Sequence, residues 1–126
     1  MAQKIPHSMS FRVCVYSSEE DYFIAHCLEL DVLGEDESVE GALDNLLEVI
    51  ETQIESCQTY KAQFFFPAPD SIWQKYNKAK KAKRRISGEL MNRVIRNANK
   101  RLGHKMPKID YVVGTKEVPQ ECLAGH

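Results

Sequence analysis

The chain has 126 residues, 43% hydrophobic and 28% charged, with a net charge of −1; it can build one modest core and is too short for more than a domain with an appendage. Cysteines stand at 14, 27, 57 and 122 without a CxxC pair, which argues against a disulfide framework or a zinc site and for reduced thiols. The N-terminus lacks a signal-like apolar stretch and no 18-residue apolar run occurs, so the expectation is a soluble cytoplasmic protein with no membrane segment.

Phe11 to Tyr16 alternates, with Phe11, Val13 and Val15 on one side and Arg12, Cys14 and Tyr16 on the other, the period of a half-buried strand. A polar link, Ser17 to Asp21, leads to a second alternating run, Tyr22 to Leu30, and the two read as an antiparallel hairpin. Asp31 to Glu35 reads as a short third strand, with Gly34 easing the backbone near its end. Ser38 is a natural N-cap for a helix carrying Val39, Ala42, Leu43, Leu46, Leu47, Ile50, Ile54 and Cys57 at three- and four-residue spacing. Lys61 to Phe66 suits a short strand or buried linker. Pro67-Ala68-Pro69 stops any regular element, and a module boundary is placed there. Asp70 and Ser71 are candidate caps for a helix from Ile72 to about Arg85 with Trp73, Tyr76 and Ala79 as its apolar stripe. Ser87-Gly88 breaks it. A second helix runs from Glu89 to Leu102, with Gly103 as its stop. Ile109 to Val113 is a last short strand, and a tail follows Gly114.

Charge divides sharply along this string of elements. Residues 1–60 carry two basic residues against thirteen acidic ones, a net −11; residues 61–126 carry fifteen against five, a net +10. On the first helix Glu40, Asp44, Glu48, Glu51 and Glu55 follow one another with no base between them, although like charges at such spacing cost about 0.2–0.5 kcal/mol each in isolated helices. Between Lys75 and Lys108 there are thirteen basic residues and one acid, Glu89. Two readings stand: the halves neutralise each other within a molecule or across a homo-oligomer, or each faces its own partner, a basic one in front and nucleic acid behind. For phosphate contacts the candidates are Lys80, Lys81, Lys83, Arg84 and Arg85.

The run YFIAHCLEL, then GEDESVEGALDNLLEVIE, then FPAP resembles the HicB-like antitoxin family. The resemblance rests on Tyr22, Ala25, Cys27, Glu29 and Leu30, on Gly34, Ser38 and Ala42, and on Pro67 and Pro69, and covers residues 11 to about 69. Leu28 stands where the family usually has proline, and Gly41 where glutamate often completes a capping box. The resemblance implies a small antiparallel sheet with one helix across it, a partial ribonuclease-H-like fold without that enzyme's catalytic carboxylates. It also implies a small basic ribonuclease toxin, HicA-like, as partner, and an appended domain for operator DNA. A ribbon-helix-helix would need a strand before its two helices, whereas the late strand here follows them. A helix-turn-helix is conceivable from Ile72–Arg85 and Glu89–Leu102, although the Arg84–Gly88 connection carries no signature of one.

Other chemistry is weakly supported. His26 and Cys27 are neighbours in a strand and point to opposite faces, so they do not form a nucleophile pair. The helix acids line one face and do not converge as metal ligands must; no glycine-rich phosphate loop occurs. The expectation is therefore an α+β, non-enzymatic protein without cofactor or metal. A HicB-like module at 1–69 is followed by a basic, mainly helical segment at 70–126. Glu40, Asp44, Glu48 and Glu51 would cover the basic toxin-like partner by occlusion. The alternative is a nucleic-acid-binding regulator whose acidic half oligomerises, and a third reading is a self-neutralising structural protein.

Overall fold

The computed structural model describes residues 10–60, 66–102 and 108–125. Strands β1 (Ser10–Ser17), β2 (Phe23–Cys27) and β3 (Val32–Asp36) precede helices α1 (Val39–Tyr60), α2 (Asp70–Lys81) and α3 (Gly88–Leu102), and β4 (Lys108–Gly114) follows. The sheet order is β3-β2-β1-β4. The first three strands form the expected antiparallel meander, but β4 runs parallel to β1. The sheet is therefore mixed rather than antiparallel, and its fourth strand comes from the second half of the chain.

Period-two alternation in β1 sorts the core into two clusters. Phe11, Val13 and Val15 join Ala25 and Cys27 of β2 in a cluster closed by Leu43, Leu46, Leu47 and Ile50 of α1 and Leu90, Val94 and Ala98 of α3. Each fully buried Leu or Ile here is worth roughly 1.5–3 kcal/mol, so this face carries most of the stability. On the other face Cys14, Leu28 and Val113 meet Tyr76 and Ala79 of α2, flanked by Tyr16, Ile72 and Trp73. Thus α1 and α3 lie on one side of the sheet and α2 on the other. Backbone bonds from Phe66 N–H to Glu29 O (3.1 Å) and Ala68 N–H to Leu28 O (2.8 Å) tie the proline-flanked segment to the end of β2, where the chain enters α2.

Two glycines show why α1 sits where it does. A Cβ on Gly34 would lie 2.3 Å from Leu46 N and 2.4 Å from Ala42 O, so β3 and α1 meet backbone to backbone. The glycine serves close approach, and not the easing of a strand end. At the helix start Ser38 Oγ accepts from Gly41 N–H (2.9 Å), the N-cap bond the sequence predicts. The partner bond of a capping box comes from upstream: Ser38 N–H donates to Asp36 Oδ2 at 3.0 Å. A Cβ on Gly41 would lie 2.0 Å from that oxygen, so the glycine leaves room for the aspartate that does the work of the absent glutamate.

Three boundaries differ from the sequence reading. Helix α2 begins at Asp70 with Pro69 as its cap residue and no side-chain cap, so neither Asp70 nor Ser71 has that role. It ends at Lys81 rather than Arg85, because Lys83 turns left-handed (φ 58) and Arg84 N–H bonds Ala79 O at 3.0 Å, a C-terminal stop of the kind glycine usually provides. The residues after Gly114 are no loose tail: Val118 and Leu123 are buried in the main cluster, and Arg85 and Ile86 bridge to Val113 and Leu123. The linker reading for 61–65 and the stop at Gly103 lie outside the described residues.

Candidate functional site

The acidic residues of α1 do not share one environment. Glu40 receives Arg93 of α3 at 2.9 Å, and Asp44 receives Arg101 at 2.9 Å. Both pairs join residues more than fifty positions apart, across the α1–α3 contact. Glu48 is exposed beside an exposed Val49, and Glu51 is half-buried. The four residues expected to cover a basic partner therefore differ in setting, and Glu40 and Asp44 are engaged by this chain's own arginines.

The basic residues divide as well. Arg93 and Arg101 answer acids, but α2 lies across the sheet from α1 and its lysines have no such access. Between described residues, no salt bridge involves a lysine of α2. Two of them have aromatic neighbours: Lys75 Nζ lies 4.5 Å from the centre of the Tyr16 ring and Lys80 Nζ 4.8 Å from that of Tyr111. Arg85 also lies over Tyr111, at 4.8 Å. Such contacts stabilise a cation by about 0.5–1 kcal/mol at exposed sites and leave its charge in place.

Of the five candidate phosphate ligands, Lys80, Lys81, Lys83 and Arg85 are exposed on this side. Arg84 is half-buried and partly committed: its Nε donates to the carbonyls of Gly114 and Thr115, both at 3.1 Å, and its Nη2 to that of Val118 at 3.0 Å. It pins the turn after β4 and satisfies carbonyls that would otherwise be costly to bury. Lys75 and Lys78, part of the basic stretch the sequence offers to nucleic acid but not of its five named phosphate ligands, line a cleft of about 470 Å³ between α2 and that turn, together with Tyr16, Arg84, Lys116 and Glu117. Lys116 is the residue that sequence reasoning missed. A second cavity of about 360 Å³ lies between α2 and β4, walled by Arg12, Glu29, Tyr76, Lys80, Asp110 and Tyr111. There β4 carries an extra residue, since Asp110 and Tyr111 together stand opposite Arg12.

The His26, Cys14 and Cys27 side chains are held within the fold. His26 is buried and uses both ring nitrogens: Nε2 meets Asp31 Oδ1 at 2.7 Å and Nδ1 meets the Tyr16 hydroxyl at 3.0 Å. In the neutral ring with the proton on Nε2, the carboxylate accepts from Nε2–H and Nδ1 accepts from the tyrosine. Cys27 points into the opposite cluster, and burial pushes the thiols of Cys14 and Cys27 up to about 12, far from the thiolate a nucleophile needs. Among the described residues no three His, Cys, Asp or Glu side chains gather as metal ligands, and no helix is long and apolar enough to cross a membrane. No family model, curated protein or solved structure matches this chain.

Proposed function

We propose that the protein is a non-enzymatic regulatory binding protein, a HicB-like module whose α2 layer contacts nucleic-acid phosphates. One observation carries the reading. The sheet separates Lys75, Lys78, Lys80, Lys81, Lys83 and Arg85 from the acidic face of α1, so their charge is not neutralised there. A positive surface of this kind gains its affinity by displacing counterions from phosphates. Cytoplasmic residence and self-association belong to the same proposal, as does the partial ribonuclease-H-like assignment, which the three-strand meander with α1 across it supports.

Salt dependence tests it. If four to six of these cations touch phosphates, the logarithm of affinity falls with the logarithm of salt with a slope of about −3 to −5. Fluorescence anisotropy with a labelled nucleic acid between 50 and 200 mM salt reads that slope, and the Lys78→Glu, Lys81→Glu double variant should flatten it by roughly two contacts. No binding by the wild-type chain, or a slope untouched by the double variant, would overturn the reading.

A second reading, occlusion of a small basic HicA-like partner, rests on the outer strip of α1 that α3 does not engage. Glu48, Val49, Thr52 and Glu55 are all exposed there, an acidic surface with an apolar centre. Under it, a small basic protein should co-purify in near-equal amount and be lost with Glu48→Lys; retention in the variant would exclude this strip as the contact.

A further inference from the structure

The cleft between α2 and the turn after β4 gathers cations from separate parts of the chain. Lys75 and Lys78 come from α2, Arg84 from the residues just after it, and Lys116 from the turn. The three lysines are exposed, and between described residues no salt bridge engages any of the four cations. Glu117 is the only carboxylate among the described residues of the wall. A concave surface lined by one sign of charge focuses its field, and an anion seated there relieves the repulsion among the cations.

Contacts within the fold set these groups in place. Lys75 Nζ lies 4.5 Å from the centre of the Tyr16 ring, which holds the ammonium on the β1 side of the cleft and leaves its charge uncancelled. Arg84 bonds the carbonyls of Gly114, Thr115 and Val118, and so shapes the turn that carries Lys116 and Glu117. The Thr115 hydroxyl donates to the Glu117 carboxylate. That bond and the residue's own N–H hold the Glu117 carboxyl below the usual range, and the charges of Lys75 and Arg84 act in the same direction. The carboxylate is thus tied back to its own turn and bridges none of the lysines. The volume, about 470 Å³, falls in the range of small-ligand sites, about 300–1,000 Å³.

We infer that this cleft is a binding site for a phosphomonoester dianion, carried by a free nucleotide or by the phosphorylated end of a strand, with Lys75, Lys78 and Lys116 as its ligands. The chemistry separates this group from the backbone phosphates of the proposed function. A phosphomonoester carries about 1.5 to 2 negative charges at pH 7 and is joined to its molecule on one side only, so it enters a cleft end-on. A backbone phosphodiester carries one charge and has chain on both sides, which suits the open row of lysines along α2. The inference goes beyond the nucleic-acid reading and does not depend on it.

The test uses the full chain in two titrations at fixed salt. Calorimetry compares adenosine 5′-monophosphate with adenosine; anisotropy compares a short single strand, labelled at its 3′ end, bearing a 5′-phosphate or a 5′-hydroxyl. At least one phosphorylated probe should bind roughly tenfold more tightly than its unphosphorylated counterpart, the usual strength of charge-assisted hydrogen bonds. A gain confined to the mononucleotide identifies a free ligand as the source, and a gain with the strand identifies a strand end. Lys116→Glu should remove most of the gain and Glu117→Gln should raise it about two- to threefold, whereas Lys80→Glu, in the wall of the other cavity, should alter it less than about twofold. Lys116 is exposed, so its variant should keep the wild-type urea midpoint, which separates a lost ligand from a lost fold. Equal binding of phosphorylated and unphosphorylated probes, or a gain untouched by Lys116→Glu, overturns the cleft site; strands that still bind with the expected salt slope then leave the phosphate-contacting surface standing. A gain with the mononucleotide in a protein that binds no strand supports the cleft site and overturns the nucleic-acid reading.

Discussion

The two faces of the sheet solve the same charge problem differently. On the α1–α3 face, acids and bases meet: Glu40 with Arg93 and Asp44 with Arg101, above a broad aliphatic core. On the α2 face a thin core of Cys14, Leu28, Tyr76, Ala79 and Val113 supports a helix two of whose lysines, Lys75 and Lys80, lie over tyrosine rings, with no salt bridge from a lysine of α2 between described residues. A nearly neutral total therefore says little about either surface. Neutralisation needs proximity, and a sheet layer keeps helices on its two faces well beyond the separation at which surface charges pair effectively in salt. Within one molecule the arginines of α3 meet acids of α1, and the lysines of α2 do not.

Packing supplies the sharpest way to break this comparison. Gly34→Ala places a methyl 2.3 Å from one α1 backbone atom and 2.4 Å from another, and neither can move without lifting α1 from the sheet. Overpacking against backbone is expected to cost at least about 3 kcal/mol, read as a lower urea midpoint. Gly88→Ala, with open space at its Cβ position, is the control and should change stability by well under 1 kcal/mol. If Gly34→Ala were tolerated as easily, the contact of β3 with α1 would not be the close one described.

The cysteines sample both faces, Cys14 under α2 and Cys27 under α1. Burial raises both thiols from 9.0 to about 12. The sign follows directly: below pH 9 both states keep the protons, and between 9 and 12 only the folded state does, so stability falls as pH rises through that window. At pH 10 each thiol accounts for a loss of about 1.4 kcal/mol. Urea titrations at pH 8 and pH 10 should show a smaller alkaline loss in Cys14→Ala and in Cys27→Ala than in wild type, by similar amounts. Reactivity should separate them: a thiol reagent is expected to reach Cys14, beneath the thinner layer, faster than Cys27. Equal rates would mean that α2 opens only with the whole molecule.

What the sequence disclosed follows the reach of its patterns. Alternation at Phe11–Tyr16 and three-four spacing in α1 are local, and they marked both the elements and the buried sides. The N-cap at Ser38 was legible for the same reason. The parallel pairing of β4 with β1 was not, because it joins residues about a hundred positions apart and parallel pairing leaves no turn signature. Arg84 looked like its basic neighbours, and only the approach of Gly114, Thr115 and Val118 makes it a backbone ligand. The apolar residues Val118 and Leu123 were the overlooked sign that the chain end is packed. Tyr76 was read correctly as part of the stripe holding α2 to the sheet, but a stripe pattern cannot show that its buried hydroxyl lacks a hydrogen-bond partner among the described residues.

The smallest expected effect is the most specific test of the contrast between faces. The pair Asp44–Arg101 is about one-third exposed on each side, so solvent screens it, and a double-mutant cycle with Asp44→Asn and Arg101→Gln should give a coupling of about 0.5 kcal/mol, lower at high salt. A cycle between Asp44 and Lys78 should give none, because the sheet and its core lie between α1 and α2. Lys78→Ala should change stability by no more than a few tenths of a kcal/mol while lowering nucleic-acid affinity. Coupling between Asp44 and Lys78 as large as that between Asp44 and Arg101 would mean that the acidic and basic faces meet after all, across two copies of the chain. Affinity and stability would then be linked through the same lysine, and the basic layer would be an interface of the protein with itself.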